Sequence, residues 1–107
     1  MEAEILNEFH ERFVRSFIDI LILAELKKRN PMSGYDVITF IHTKFHLLMS
    51  SGTVYNILYS LERRELIKSI QTSRKRVYKL TDKGVETINI ILKRKERIQS
   101  LMTKLFK

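Results

Sequence analysis

Ser51-Gly-Thr-Val-Tyr-Asn-Ile-Leu-Tyr-Ser-Leu-Glu-Arg63, followed by the runs Ile67–Thr72 and Arg76–Leu80, is the stretch that decides the fold. In its first part Val54, Ile57, Leu58 and Leu61 recur at steps of three and four. That is the period of an amphipathic helix, and Ser50 or Ser51 can cap its start. The helix is expected to end near Arg64. Beyond it the pattern changes. Ile70, Val77 and Tyr78 supply β-branched and aromatic residues to two short extended runs around Ser73-Arg74-Lys75, the signature of a hairpin. Few small helical proteins place a basic hairpin directly after a capped helix.

Upstream, residues from about Glu4 to Arg29 read as helix, because Ile5, Phe9, Phe13, Phe17 and Leu21 recur every four residues and Leu26 extends the apolar character. A break near Arg15-Ser16 is compatible with this pattern. Pro31 ends the helix by disfavouring helical geometry at Asn30. Ser33-Gly-Tyr-Asp36 forms a capping box, with Asp in place of the usual Glu or Gln, and opens a second helix through Val37, Ile38, Ile41 and Phe45. Leu47-Leu48-Met49 is expected to enter the core at the turn that follows.

Downstream, Thr81-Asp82 caps a last helix that meets no breaker before the C-terminus, giving a rod of roughly 35–40 Å. The order is helix, helix, helix, two-stranded ribbon, long helix. It predicts a mainly α fold with a small β-hairpin: a winged helix-turn-helix plus a C-terminal dimerisation helix. Residues 1–80 would form the winged-helix domain with its N-terminal helix and residues 81–107 the dimerisation helix, together one compact unit.

Composition sets the class of partner. Twenty Lys and Arg oppose twelve Asp and Glu, a formal charge of +8. That surplus favours a polyanion through counterion release, or an acidic membrane surface. Cysteine is absent, which excludes disulfides and thiolate metal sites and fits a reducing cytosol. The acidic start, with Glu2, Glu4, Glu8 and Glu11, does not resemble a secretory signal. The longest apolar run, Ile20–Ala24, is far short of the roughly 20 residues a bilayer requires. A cytoplasmic protein without membrane partners is expected.

The polar face of the Ser51–Arg63 helix carries Thr53, Asn56, Tyr59, Ser60 and Arg63, with Ser51 and Tyr55 at its N-terminal edge. Hydroxyls, an amide and a guanidinium reach phosphates and base edges, although any solvated helix presents a polar face. The hairpin shifts the balance towards DNA. Arg74, Lys75 and Arg76 crowd three cations onto a turn, where they repel one another and contribute nothing to packing. In the last helix Ile88, Ile91, Ile98, Met102 and Leu105 follow a coiled-coil spacing, widened by Leu92 and Leu101. This stripe is expected to meet a second copy of the chain, packed with the first helix through Phe9 and Phe13.

His42 and His46 stand at a metal-binding spacing, but neither a third ligand nor a Cys accompanies them, and no metal or other cofactor is expected. Nucleophile elbows, phosphate-binding loops and paired catalytic carboxylates are missing, so the chain does not read as an enzyme. Its partners would be double-stranded DNA and itself. The rival reading is a protein-interaction module whose last helix joins a larger assembly.

These pieces resemble the PadR family of winged-helix transcriptional regulators. The likeness runs from about Ile18 to Gly84, through Ile20–Leu26, Met32-Ser-Gly-Tyr-Asp36, Ser51-Gly-Thr-Val-Tyr55, Leu58 with Leu61-Glu62, Leu66-Ile67 and Val77-Tyr-Lys-Leu-Thr-Asp-Lys-Gly84. It implies a homodimeric repressor that contacts a palindromic site through the Ser51–Arg63 helix and the wing. Three departures stand out. Asn56 replaces a frequent Pro, Glu65 replaces the Gly that usually ends the helix and must adopt a less comfortable turn or let the helix run on, and the wing is short. The chain also lacks the Trp with which some members hold planar aromatic compounds, so that pocket is not expected.

Overall fold

A computed structural model describes residues 1–107. The chain runs α1 (Glu2–Ser16), α2 (Ile18–Lys28), β1 (Met32–Ser33), α3 (Gly34–Phe45), α4 (Ser51–Arg63), β2 (Ile67–Gln71), β3 (Arg76–Leu80), α5 (Asp82–Lys93) and α6 (Lys95–Leu105). It is a mainly helical winged helix in which α4 is the helix that the first-quoted stretch specifies. No helix is long and apolar enough to cross a membrane.

The expected first helix is two helices. Phe17 leaves helical geometry at φ −115°, ψ 17°, one residue past the break that the sequence allowed. Its N–H is shared between the carbonyls of Phe13 and Val14, the bifurcation of a tightening last turn. Two series at four-residue spacing run through this region, and the core takes the one offset by a residue. Val14, Ile18, Ile22 and Leu26 are buried, while Ile5, Phe9, Phe13 and Phe17 remain exposed.

The last helix divides in the same way. Arg94 sits at φ −111°, ψ 25°, and its N–H is shared by the carbonyls of Ile90 and Ile91. The expected single rod is therefore α5 followed by α6. The consequence for the apolar seam is direct: Ile88 lies fully inside the protomer's own core, whereas no residue of α6 is buried. Ile88 is thus removed from the expected dimer contacts, because its side chain is already enclosed. Ile91 and Leu92 are half-buried against the same core.

The sheet has three strands in the order β1-β3-β2, all antiparallel. The hairpin pairs Ile67 with Leu80 through Gln71 with Arg76. The unexpected β1 pairs Met32 with Tyr78 and Ser33 with Val77, which places β3 in the centre and buries Val77 and Tyr78. Between α3 and α4 only Leu47 is buried. Leu48 projects into solvent at 78% exposure, against expectation, and Met49 packs partly against the core. His46 causes this: it caps α3 in the left-handed region at φ 53°, so the chain turns sharply and the three residues cannot all face inward.

Eighteen buried residues form one core drawn from α1 to α5 and the sheet. Leu23, Leu26, Val37, Ile41, Val54, Leu58, Leu61, Ile67 and Ile88 are essentially inaccessible within it. This packing fixes the angle between α3 and α4 and holds the hairpin beside them.

Candidate nucleic-acid interface

Ser50 caps α4, its Oγ accepting from the Thr53 N–H at 3.1 Å and lying 2.8 Å from the Thr53 hydroxyl. Val54, Leu58 and Leu61 then point into the core, which turns Ser51, Thr53, Tyr55, Asn56, Tyr59 and Arg63 outward. Ser60 is half-buried. The Arg63 guanidinium lies 5.0 Å from the centre of the Tyr59 ring, so a cation–π contact braces two of the outward groups.

The C-terminal end of α4 is fixed with unusual thoroughness. Glu65 stands at φ 61°, the left-handed position that glycine fills most easily. The Glu65 N–H donates to Glu62 O at 2.9 Å and the Leu66 N–H to Leu61 O at 3.0 Å, the two bonds of a Schellman cap. The Thr81 hydroxyl donates to Glu65 O at 2.6 Å, the Thr81 N–H to Leu66 O at 3.1 Å and Lys83 Nζ to Arg64 O at 3.2 Å. Thr81 also caps α5 by accepting from the Gly84 N–H at 3.0 Å. A side chain at Gly84 would run into the Leu66 carbonyl. The Leu-Thr-x-x-Gly stretch thus locks α5 onto the end of α4.

Glu62 performs the same service for the wing. Its carboxylate accepts from the Ser69 N–H at 3.0 Å and the Ser69 hydroxyl at 2.6 Å, tying α4 to β2. Sequence reasoning noted Glu62 within a motif but gave it no role. Only the fold brings Ser69 to it.

The hairpin turn is closed by Thr72. Its N–H and hydroxyl both donate to Lys75 O, at 2.8 and 2.6 Å, and its hydroxyl accepts from the Lys75 N–H at 3.1 Å. Ser73, Arg74 and Lys75 are left in the turn, and Arg76 begins the returning strand. The three ion pairs of the molecule are Arg15–Glu11, Arg29–Glu25 and Arg64–Asp19. None involves Arg74, Lys75 or Arg76, which face solvent without a carboxylate partner.

Helix α3 joins these two elements. In its capping box the Ser33 N–H donates to Asp36 at 2.9 Å and the Asp36 N–H donates to Ser33 Oγ at 3.1 Å. The Ser33 N–H, assisted by the Ser33 side chain and by the charges of Lys75 and Arg29, holds the Asp36 carboxyl below its ordinary value against the opposing effect of burial. Gly34 is required here because the Tyr55 ring lies directly over it, in space that a methyl group would occupy. One contact therefore accounts for both the Gly-Tyr and the Gly-x-x-Tyr elements of the sequence. Tyr55, Lys75 and Arg76 share an open cleft of about 410 Å³ with Ser33, Tyr35 and Tyr78.

The residues expected at a dimer contact fall elsewhere. Phe9 and Phe13 are exposed on α1, where Phe13 stacks on Phe17 with ring centres 4.8 Å apart. Ile98, Leu101, Met102 and Leu105 are exposed on α6. His10 and His46 line one cavity beside Glu11, and no group of three His, Cys, Asp or Glu side chains is placed to hold a metal ion.

The model of the transcriptional regulator PadR-like family matches residues 22–90. No curated protein matches the chain. Among solved structures, a PadR family transcription regulator from Clostridium difficile is 29% identical with a TM-score of 0.69, over 85% of this chain and 99% of that one. A transcriptional regulator from Clostridium thermocellum shares the fold at 22% identity and a TM-score of 0.73, over 90% and 96% of the two chains. The PadR of Bacillus subtilis, solved in complex with operator DNA, is 26% identical with a TM-score of 0.59, over 70% of this chain and 46% of that one.

Proposed function

The chain belongs to the PadR-like family of transcriptional regulators, and on that premise we propose that it binds double-stranded DNA as a homodimer and represses transcription from a palindromic site. As a regulator of this family it is not an enzyme. The observation that carries the DNA-binding reading is the turn of three unpaired cations, Arg74, Lys75 and Arg76, held beside the outward polar face of α4. Unpaired clustered charge contributes nothing to folding and is suited to a phosphate backbone. The B. subtilis relative was solved on operator DNA, which supports the same use of this fold.

In this reading Ser51, Thr53, Tyr55, Asn56, Tyr59, Ser60 and Arg63 enter the major groove, while the wing follows the neighbouring backbone. The homodimer forms through Phe9 and Phe13 of α1 and Ile98, Leu101, Met102 and Leu105 of α6, with Ile91 and Leu92 at its margin. Two copies then present α4 about one duplex turn apart, roughly 34 Å, which matches a two-fold symmetric site.

Selection of bound duplexes from a random pool, repeated across salt concentrations, tests the proposal. Recovery of a palindrome is expected, with affinity falling by roughly 10³–10⁵ between 50 and 200 mM salt if 6–10 phosphates are contacted. Steep salt dependence without an enriched sequence would leave a non-specific DNA-binding protein. No binding to duplex DNA at all would overturn the proposal in favour of an interaction module.

A further inference from the structure

Tyr78 stands out because it is buried and yet its hydroxyl is unused. It lies on the central strand, between Met32 of β1 and Ser69 of β2, and the residue as a whole is 5% exposed. A tyrosine buried this deeply ordinarily gives its O–H to a protein acceptor. Here the influences on the hydroxyl are burial and the neighbouring Arg76, Tyr55 and Glu62, with no hydrogen-bond partner among them. Nor is the oxygen sealed inside the core, since no enclosed polar atom of the protein lacks a partner. It opens into the cleft that Tyr55, Lys75 and Arg76 also line.

Two cations face the same cleft, and the nearby Glu62 carboxylate is held by the N–H and hydroxyl of Ser69. Lys75 and Arg76 carry no carboxylate partner. The Tyr55 ring is seated on Gly34, so its hydroxyl is delivered to the same cleft by packing. Helix α3 begins there and runs twelve residues, directing the positive end of its dipole at the opening. The Asp36 carboxylate is turned back onto the Ser33 N–H and so is already engaged. Burial also raises the Tyr78 ionisation above its ordinary value of 10.0, so the hydroxyl keeps its proton and acts as a donor.

We propose that this cleft is a phosphate subsite, in which Tyr78 donates a hydrogen bond from the floor while Lys75 and Arg76 supply the charge. The phosphate comes from the backbone of duplex DNA or from free inorganic phosphate. The first source rests on the DNA-binding reading above, and the second does not. In either case Tyr78, on the central strand of the sheet, ties the start of α3 and the wing to one anion at the same time.

Tyr78→Phe removes the hydroxyl and keeps the ring, so the core packing is retained and thermal unfolding should match that of the parent chain. Duplexes carrying a single methylphosphonate, stepped along the selected site, are bound by both proteins. The parent should lose roughly tenfold in affinity at one phosphate per half-site, the effect of one hydrogen bond to a charged group. The variant should bind unmodified DNA about tenfold more weakly and lose less than the parent at that one replacement, the loss that remains being the charge that Lys75 and Arg76 no longer meet. In a second arm, inorganic phosphate is titrated into both proteins while the amide resonances of Gly34 and Tyr35 are followed. A saturable shift in the parent, absent from the variant, establishes the subsite with a free anion even if the parent ignores DNA. A parent that binds DNA with no phosphate coupled to Tyr78, together with no saturable shift, overturns the subsite and leaves the DNA-binding reading standing.

Discussion

Between Ile18 and Ile88 the chain encloses its large aliphatic side chains and ties element to element: Glu62 to Ser69, Thr81 to Glu65, Tyr55 over Gly34. In α1 and α6 the opposite holds. Val14 is the only residue of α1 that is buried and α6 has none, while Ile5, Leu6, Phe9, Phe13, Ile98, Leu101, Leu105 and Phe106 stand in solvent. The molecule extends 52 Å along its long axis and 21 Å along its short one, a shape that a closed core does not explain. Both regions carry helical apolar periodicity, yet only one uses it within the protomer. The contrast teaches that periodicity announces a helix and a buried face, without saying which chain does the burying.

The sharpest way to break the contrast is a pair of substitutions on consecutive helices. Ile88→Ala hollows the protomer's core and should cost about 2–5 kcal/mol, read from urea unfolding at constant protein concentration. Ile98→Glu lies outside that core, at 43% exposure, and should leave the body folded while splitting the proposed dimer on light scattering. High-affinity binding should disappear with it, falling by roughly 10³ or more towards the non-specific level. If Ile98→Glu remains dimeric, α6 is not the contact and the comparison fails.

Glu65 tests the body from within. A non-glycine residue in the left-handed region costs about 1–2 kcal/mol, and the Schellman cap holds Glu65 there regardless. Glu65→Gly should therefore stabilise the fold by about 1 kcal/mol, after allowance for the greater freedom of glycine in the unfolded chain. Matched urea midpoints for the two proteins would show that the turn is not strained.

Asp36 gives a smaller effect whose sign is fixed by its lowered ionisation. A carboxyl held below its ordinary value of 3.8 contributes stability that is complete above that value and lost as pH falls through the folded one. Asp36→Asn should be less stable than the parent by about 0.5–1 kcal/mol at neutral pH, the scale of a helix cap. The gap should close in acid below the ordinary carboxylate range. A gap that stays constant with pH would assign the loss to geometry and not to charge.

Much of this was legible from the residues. Val54, Leu58 and Leu61 fixed the orientation of α4, Ser33 and Asp36 announced their capping box, and Glu65 was marked as an uncomfortable replacement for glycine. What was hidden depends on tertiary contact. A strand of two residues, Met32–Ser33, has no period to detect and exists only because β3 lies alongside. The breaks at Phe17 and Arg94 carry neither Gly nor Pro, and arise where one apolar series enters the core and its neighbour does not. Ile88 and Ile98 belong to a single seam in sequence, and only the bend at Arg94 separates them. Tyr78 read as a strand residue, since nothing in its neighbours revealed a buried hydroxyl without a partner.

The smallest expected effect concerns the three glycines, all in the body, of which two face the protein and one faces solvent. Gly34 and Gly84 face the protein itself, against Tyr55 and the Leu66 carbonyl. Gly52, exposed in the first turn of α4, would meet nothing within 4 Å if it carried a methyl group. Folding alone therefore gains nothing from glycine there, and Gly52→Ala should raise stability by a few tenths of a kcal/mol, less than the approximately 1 kcal/mol of a helix interior. The informative readout is affinity for the selected duplex. A loss on binding, in a protein that has become more stable, would show that the missing side chain makes room for a partner's backbone. Unchanged affinity would mean that the N-terminus of α4 stands off the DNA, leaving the wing and the Tyr78 cleft as the nearer contacts.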